Sequence, residues 1–218
     1  MLFQLLHKEI ILELRRKSVV AGLALYLIST IFIYYLSFGL RGNIADPLLW
    51  SALFWVTALF AAVNTAAKSF TGESSGVQIY YYSVIDPILV ITAKTLYNFF
   101  LCSIFTLTAF GLFAIFFGNP VTDLPLFLLT ILLVSLGFAL SMTVLSGIVS
   151  RTNNNNVLMT VLSFPVLIGI LLLAIKITKN CIDGLEFAAS ADELTILAAI
   201  NVLMSAVSYL LFPYIWRS

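Results

Sequence analysis

Polar and apolar positions alternate only coarsely along this chain. Long stretches without a single Asp, Glu, Lys or Arg are separated by short polar joints. Six such stretches stand out, at 18–40, 48–67, 95–117, 124–150, 157–175 and 194–216. A helix rises 1.5 Å per residue, so each stretch is long enough to cross ~30 Å of hydrocarbon. The alternating pattern of a membrane barrel, in runs of about ten residues, is absent. The pattern therefore predicts an all-α integral membrane protein with six transmembrane helices. Pro165 falls inside the fifth stretch and Pro213 near the end of the sixth. Both are tolerated where neighbouring helices re-satisfy the freed carbonyl.

Between and before the stretches, four segments behave differently. Residues 1–17 are amphipathic, with Leu2, Phe3, Leu6, Ile10 and Leu14 on one stripe and Gln4, Lys8 and Arg15 opposite. This predicts a helix lying in the membrane interface, which serves as a topological anchor or as a docking element for a cytoplasmic partner. Residues 68–94 read KSFTGESSGVQIYYYSVIDPILVITAK. Glu73, Ser74 and Ser75 suit the start of a short helix, and Asp86-Pro87 its stop, since the residue before proline avoids the α region. A short helix parallel to the membrane, displaying Tyr80–Tyr82, is a handle for a soluble subunit; the alternative is an interfacial connector whose tyrosines sit among headgroups. Asn153–Asn156 reads as a turn. Residues 176–193 leave room for one or two short helices at the opposite end.

Composition agrees with a lipid solvent. The 218 residues are 61% hydrophobic and 10% charged, with a mean hydropathy of +1.09, against roughly 25% charged in a soluble domain. Six spans consume most of the chain, so a single transmembrane domain over 1–218 is expected, with no separate catalytic or nucleotide-binding unit. The first stretch is too long for a cleaved signal peptide and lacks its small-residue cleavage pattern. With a cytoplasmic N-terminus, the inner segments hold Lys8, Arg15, Arg16, Lys17, Lys68, Lys94, Arg151 and Arg217, and the outer ones only Arg41, Lys176 and Lys179. The positive-inside rule favours this arrangement, with both termini cytoplasmic. The acidic residues Asp183, Glu186, Asp192 and Glu193 then fall outside. Tyr34, Tyr35, Trp50, Tyr214 and Trp216 lie near span ends, where aromatic anchors belong.

Within the spans, Ala58, Ala62 and Ala66 step by four along the second, as do Ser135, Ala139, Thr143 and Gly147 along the fourth. Small residues at that spacing let helix backbones approach closely. Asn201, Ser205 and Ser208 form a mildly polar stripe on the sixth, either lining a pathway or hydrogen-bonding between helices. Cys102, in a span, and Cys181, expected in a loop, read as unpaired thiols.

No Walker A, CxxC, HExxH or GxSxG pattern occurs, which argues against an enzyme. His7 is the lone histidine, and Cys102, Met142, Met159 and Met204 are scattered over different spans, so neither a metal site nor tightly bound haem is expected. The spans hold no ionisable residue for proton coupling, so energy for transport must come from a separate ATPase.

Certain residues carry a resemblance. The amphipathic start HKEIILELRRK, the six-span layout, and Lys68, Phe70, Glu73, Gly76, Pro87, Ala93 and Lys94 after the second span are similar to the cytochrome c maturation protein B (CcmB) family. That family supplies the permease subunit of a haem exporter and is itself similar to ABC-2-type permeases. Gln78, the three tyrosines and Asp86 depart from its usual residues. The resemblance implies a homodimeric permease in the cytoplasmic (inner) membrane, working with the ATPase CcmA, with CcmC and CcmD, and with the haem chaperone CcmE. Haem would be the substrate transported or transferred by the complex. ATP hydrolysis would drive haem transfer or release of the loaded chaperone. The resemblance puts the ATPase contact in 68–94, with Lys68, Phe70, Glu73, Gly76, Gln78, Tyr80, Tyr82, Asp86 and Pro87 as candidate coupling residues. The alternatives are an ABC-2-type permease for a lipid, polysaccharide or drug, and a membrane scaffold that transports nothing.

Overall fold

The structure, a computed structural model, describes residues 2–15, 17–38, 46–66, 86–150 and 155–217. All regular structure among them is helical. Helix α1 spans Leu2–Arg15 and α2 Lys17–Ser37. They are followed by α3 (Pro47–Ala66), α4 (Pro87–Phe117), α5 (Leu124–Val149) and α6 (Asn155–Ile182). A short 3-10 turn, Phe187–Ser190, leads into α7, Ala191–Arg217. Helices α3 to α7 are each long and apolar enough to cross a membrane, and α2 contributes the apolar stretch Ala21–Ser37.

Helix α5 is the axis of the bundle. It packs on α3, α4, α6 and α7, and its buried side chains run from Leu126 to Val149. Lipid tails are as apolar as leucine, so helices gain little by hiding from them, and close backbone approach has to supply the attraction. Ser135, Ala139, Thr143 and Gly147 are all buried on α5, as are Ala58 and Ala62 on α3. The tightest point is Gly137. A Cβ there would come 2.8 Å from Asn201 Oδ1 on α7 and 3.0 Å from Ile170 Cδ1 on α6. Facing outward, large apolar side chains such as Leu25, Phe100, Ile104, Phe164, Leu172 and Val202 are exposed. That inversion of the soluble pattern is what a lipid-facing surface requires.

An aromatic knot closes one end between α3, α4 and α5. Trp50 stacks on Phe54 at 5.4 Å and meets Phe113 edge-on at 5.5 Å, while Phe110 lies 4.9 Å from Phe127. Trp50 is only 1% exposed. It is thus a core residue and not the headgroup anchor expected from its position near a span end, because Phe54, Phe113 and Phe127 on three helices leave it an apolar pocket. Trp55 Nε1 donates to Thr178 Oγ1 at 2.8 Å, tying α3 to α6.

Three boundaries differ from the sequence pattern. Helix α4 begins at Pro87 rather than 95, because Asp86 caps it: Asp86 Oδ1 accepts from Ile88 N at 3.0 Å, and proline suits the first helical position. Helix α6 runs on to Ile182, so Cys181 sits in its last turn and is buried, not in a loop. Asn155 and Asn156 belong to the start of α6 rather than to a turn. Beyond α6, the Cys181 carbonyl accepts from Thr122 N and Asp123 N at 3.2 and 3.3 Å and from Thr122 Oγ1. Asn180 Nδ2 donates to Ser190 Oγ at 2.9 Å, and Lys176 pairs with Glu193 in the first turn of α7. These bonds hold the α4–α5 and α6–α7 connections together.

Two glycines test the packing. Gly137→Ala should destabilise the bundle by about 1–3 kcal/mol through overpacking. Gly111→Ala meets nothing within 4 Å and should be neutral or stabilising by up to about 1 kcal/mol, the helix-propensity difference. Thermal unfolding in detergent should lower the midpoint for the first variant alone.

Candidate functional site

The end of the bundle where α4 starts holds a buried ammonium at the edge of an otherwise apolar span. Its base is a small apolar cluster of Val90 and Ile91 on α4, Val144 on α5 and Phe212 on α7, with Leu5 of α1 and Ile148 packed against it. One turn further along α4, Lys94 is buried, at 1% exposure. Its ammonium lies 3.3 Å from Glu9 Oε1 on α1, and the same oxygen is 3.1 Å from Lys8 Nζ. Burying an ammonium is costly unless a carboxylate and hydrogen bonds accompany it. The amphipathic helix therefore does more than float on lipid: it carries the counter-charge for a lysine of the bundle.

This use of α1 splits its apolar arc. Leu5 and Glu9 face the bundle, while Phe3, at 81% exposure, and Ile10 face outward. The expected stripe placed Phe3, Leu6 and Ile10 on one face. In the structure the apolar arc is wide enough for one half to seat on protein and the other to remain for lipid. His7 and Gln4 are exposed.

Above Lys94 two asparagines bond from one span to another. Asn98 Nδ2 donates to Thr143 Oγ1 at 2.8 Å, and Thr143 Oγ1 donates in turn to the Ala139 carbonyl at 2.6 Å, joining α4 to α5. Asn201 Nδ2 donates to the Leu133 carbonyl at 2.9 Å, joining α7 to α5. A cleft of about 160 Å³ lies between α4, α5 and α7. Ser205 and Ser208 line it together with Thr95 and Leu140, and Thr92 Oγ1 and Tyr209 OH approach to 3.3 Å on its wall. The candidate stripe on α7 therefore divides: Asn201 binds a carbonyl of α5, and the two serines face the cleft.

Of the candidate coupling residues, the structure describes Asp86 and Pro87, the N-cap and first residue of α4. Lys68, Phe70, Glu73, Gly76, Gln78, Tyr80 and Tyr82 lie outside the described residues, as does the expected helix of that loop. The backbone of Ala66 closes α3, and its side chain is not described. Glu9 was missed as a site residue because it sits in an ordinary-looking charged run. Its signal was available, since it falls on the same turn as Leu5 and Leu6. Asn98 could have been flagged as an amide in an apolar span.

A lysine held at the foot of a long span, an amphipathic helix clasped beside it and an axial helix of small residues agree with the permease layout that the resemblance implies. A profile of the CcmB protein family matches residues 1–215. The chain belongs to that family. As a CcmB protein it is a membrane permease subunit of the haem-export system of cytochrome c maturation, not itself an enzyme. The comparisons with curated proteins and with solved structures find no match. In this CcmB protein the matched residues Pro87, Ala93 and Lys94 all fall in the first two turns of α4, ahead of its apolar run. Those turns link the preceding loop in sequence to the span.

Asp86 can be tested directly. Asp86→Ala removes the cap and should cost about 1 kcal/mol, visible as faster hydrogen exchange at the Ile88 and Leu89 amides. Asp86→Asn keeps a capping oxygen and should exchange like the parent chain.

Proposed function

We propose that this CcmB protein is the transmembrane half of an ATP-driven machine for haem delivery. In this reading α2 to α7 all cross the cytoplasmic membrane, giving six spans with both termini in the cytoplasm. Two copies pair with two copies of the ATPase CcmA, and CcmC, CcmD and the haem chaperone CcmE work beside them. ATP hydrolysis drives haem transfer or the release of loaded CcmE. Haem is cargo of the complex, and no side chain of this chain serves as its axial ligand.

The observation that carries the reading is the continuity of α4. It runs 31 residues without a break from the capped Asp86, about 46 Å at helical rise and well beyond the ~30 Å of hydrocarbon. The surplus turns come directly after the loop 68–85 in sequence. A force on that loop would enter the membrane through a stiff rod instead of a hinge. Lys94, at the boundary between surplus turns and span, supports placing this end at the cytoplasmic face.

Contact with the ATPase is assigned to the loop. Glu73 would form a charge-assisted hydrogen bond with the ATPase, and Tyr80 and Tyr82 would supply apolar area with few rotamers to freeze. Breaking such a buried charge contact costs about 2–5 kcal/mol. Glu73→Lys, or Tyr80→Ala with Tyr82→Ala, should leave insertion and protein level unchanged, while ATPase co-purification and cytochrome c maturation fall together. Full binding and full maturation in both variants would reduce the loop to a connector.

Topology gives a second check. Alkaline phosphatase fused after Ser218 should be inactive, and fused near Asp123 active. The opposite pattern would move the loop to the wrong side of the membrane.

A further inference from the structure

The clasp between α1 and α4 has a register that neither helix shows alone. Leu5 packs on the cluster containing Val90 and Ile91, and four residues later Glu9 reaches Lys94. On both helices the two contacts are one turn apart, so they lie on a single face of each. One apolar contact would permit α1 to roll, and one ion pair would permit it to swing. Together they fix both its distance and its rotation.

Several neighbours of Lys94 on α4 are apolar. Val90, Ile91 and Ala93 beside Lys94 are buried, and an apolar side chain would fill that space without desolvating an ammonium. A buried pair can often be exchanged for apolar residues with little loss of stability, and buried charges are best attested as devices that fix register. The same Glu9 oxygen also lies within reach of Lys8 on its own helix.

We propose that Glu9 and Lys94 are a positioning pair that locks the amphipathic helix to α4 in one rotational setting, so that the two move as one body when the permease is driven. The locking stands on the geometry of the clasp; its use during driving rests on the ATP-coupled reading. The consequence is that α1 moves with the rod that leads from the loop, keeping Phe3 and Ile10 turned to lipid while Leu5 and Glu9 stay on protein.

Spin labels test this without relying on haem transfer. Phe3 and Ile115 are both exposed, and the native Cys102 and Cys181 are buried, so Phe3→Cys with Ile115→Cys confines labelling to α1 and the far end of α4. In lipid nanodiscs, with the full complex assembled from one labelled and one unlabelled copy of the chain, the parent should give one narrow distance that ATP does not change. Adding Glu9→Gln with Lys94→Met removes both charges of this pair together, so neither is left buried without the other and the bundle should keep its thermal midpoint. The distance distribution should nevertheless broaden, and cytochrome c maturation per permease molecule should fall several-fold. The exchanged pair, Glu9→Lys with Lys94→Glu, should restore both. A distribution that stays narrow in the Gln/Met variant, or a parent distance that shifts with ATP, would overturn the proposal. Broadening and restoration of the distance with maturation unchanged throughout would keep the lock and refute its use in driving, leaving the ATPase contact to be judged by co-purification.

Discussion

A helix inside a bilayer has nothing to gain by hiding apolar side chains from lipid, so what holds it to its neighbours is closeness. In this chain that closeness is concentrated on α5. Its small residues let the other helices approach until Asn201 and Ile170 nearly touch the backbone at Gly137. Everything else is arranged around that approach. The large apolar side chains point away into lipid, and the few polar groups of the spans reach α5 as the nearest source of partners, Asn98 through Thr143 and Asn201 through the Leu133 carbonyl. A bulkier axis would lengthen these bonds and strand amides in hydrocarbon, where an unmade hydrogen bond is expensive.

The helical class and the approximate course of the long helices were legible from the apolar runs, because a span must be about twenty residues long whatever surrounds it. The small-residue stripe on α5 was legible for a similar reason: close approach restricts side-chain size directly. What could not be read were choices made by tertiary contact. Asp86-Pro87 ends one helix or begins another according to which side the chain folds, and here the carboxylate caps the start of α4. Trp50 looks like a headgroup anchor until three helices supply phenylalanines around it. Lys94 reads as a flanking charge for topology, and only the fold brings Glu9 to it across 85 residues of sequence. The stripe on α7 left open a pathway or a helix contact, and only the meeting of three helices shapes the cleft that Ser205 and Ser208 line.

Family membership and geometry supply different parts of the functional account. Membership gives the permease class and its place in cytochrome c maturation. It does not explain why an amphipathic helix should precede the spans or why a lysine should be buried at the foot of one. The structure answers with the clasp of α1 on α4, which turns two separate sequence features into one mechanical element. The same clasp explains why the apolar arc of α1 is wider than a lipid anchor alone needs: part of it is a protein interface.

At the end of the bundle holding Thr122 and Glu193, the connections are short and sewn to one another by the Cys181 carbonyl, the Asn180–Ser190 bond and the Lys176–Glu193 pair. Motion of α5, α6 and α7 relative to one another is therefore restrained at that end, which acts as a stapled pivot. Displacement by rotation about a pivot grows with distance from it. Along a rod of about 46 Å, a tilt of about 10° carries the far end through about 8 Å, while the stapled end barely moves. A rod sewn at one end in this way would turn a small angular change into a large displacement at its other end.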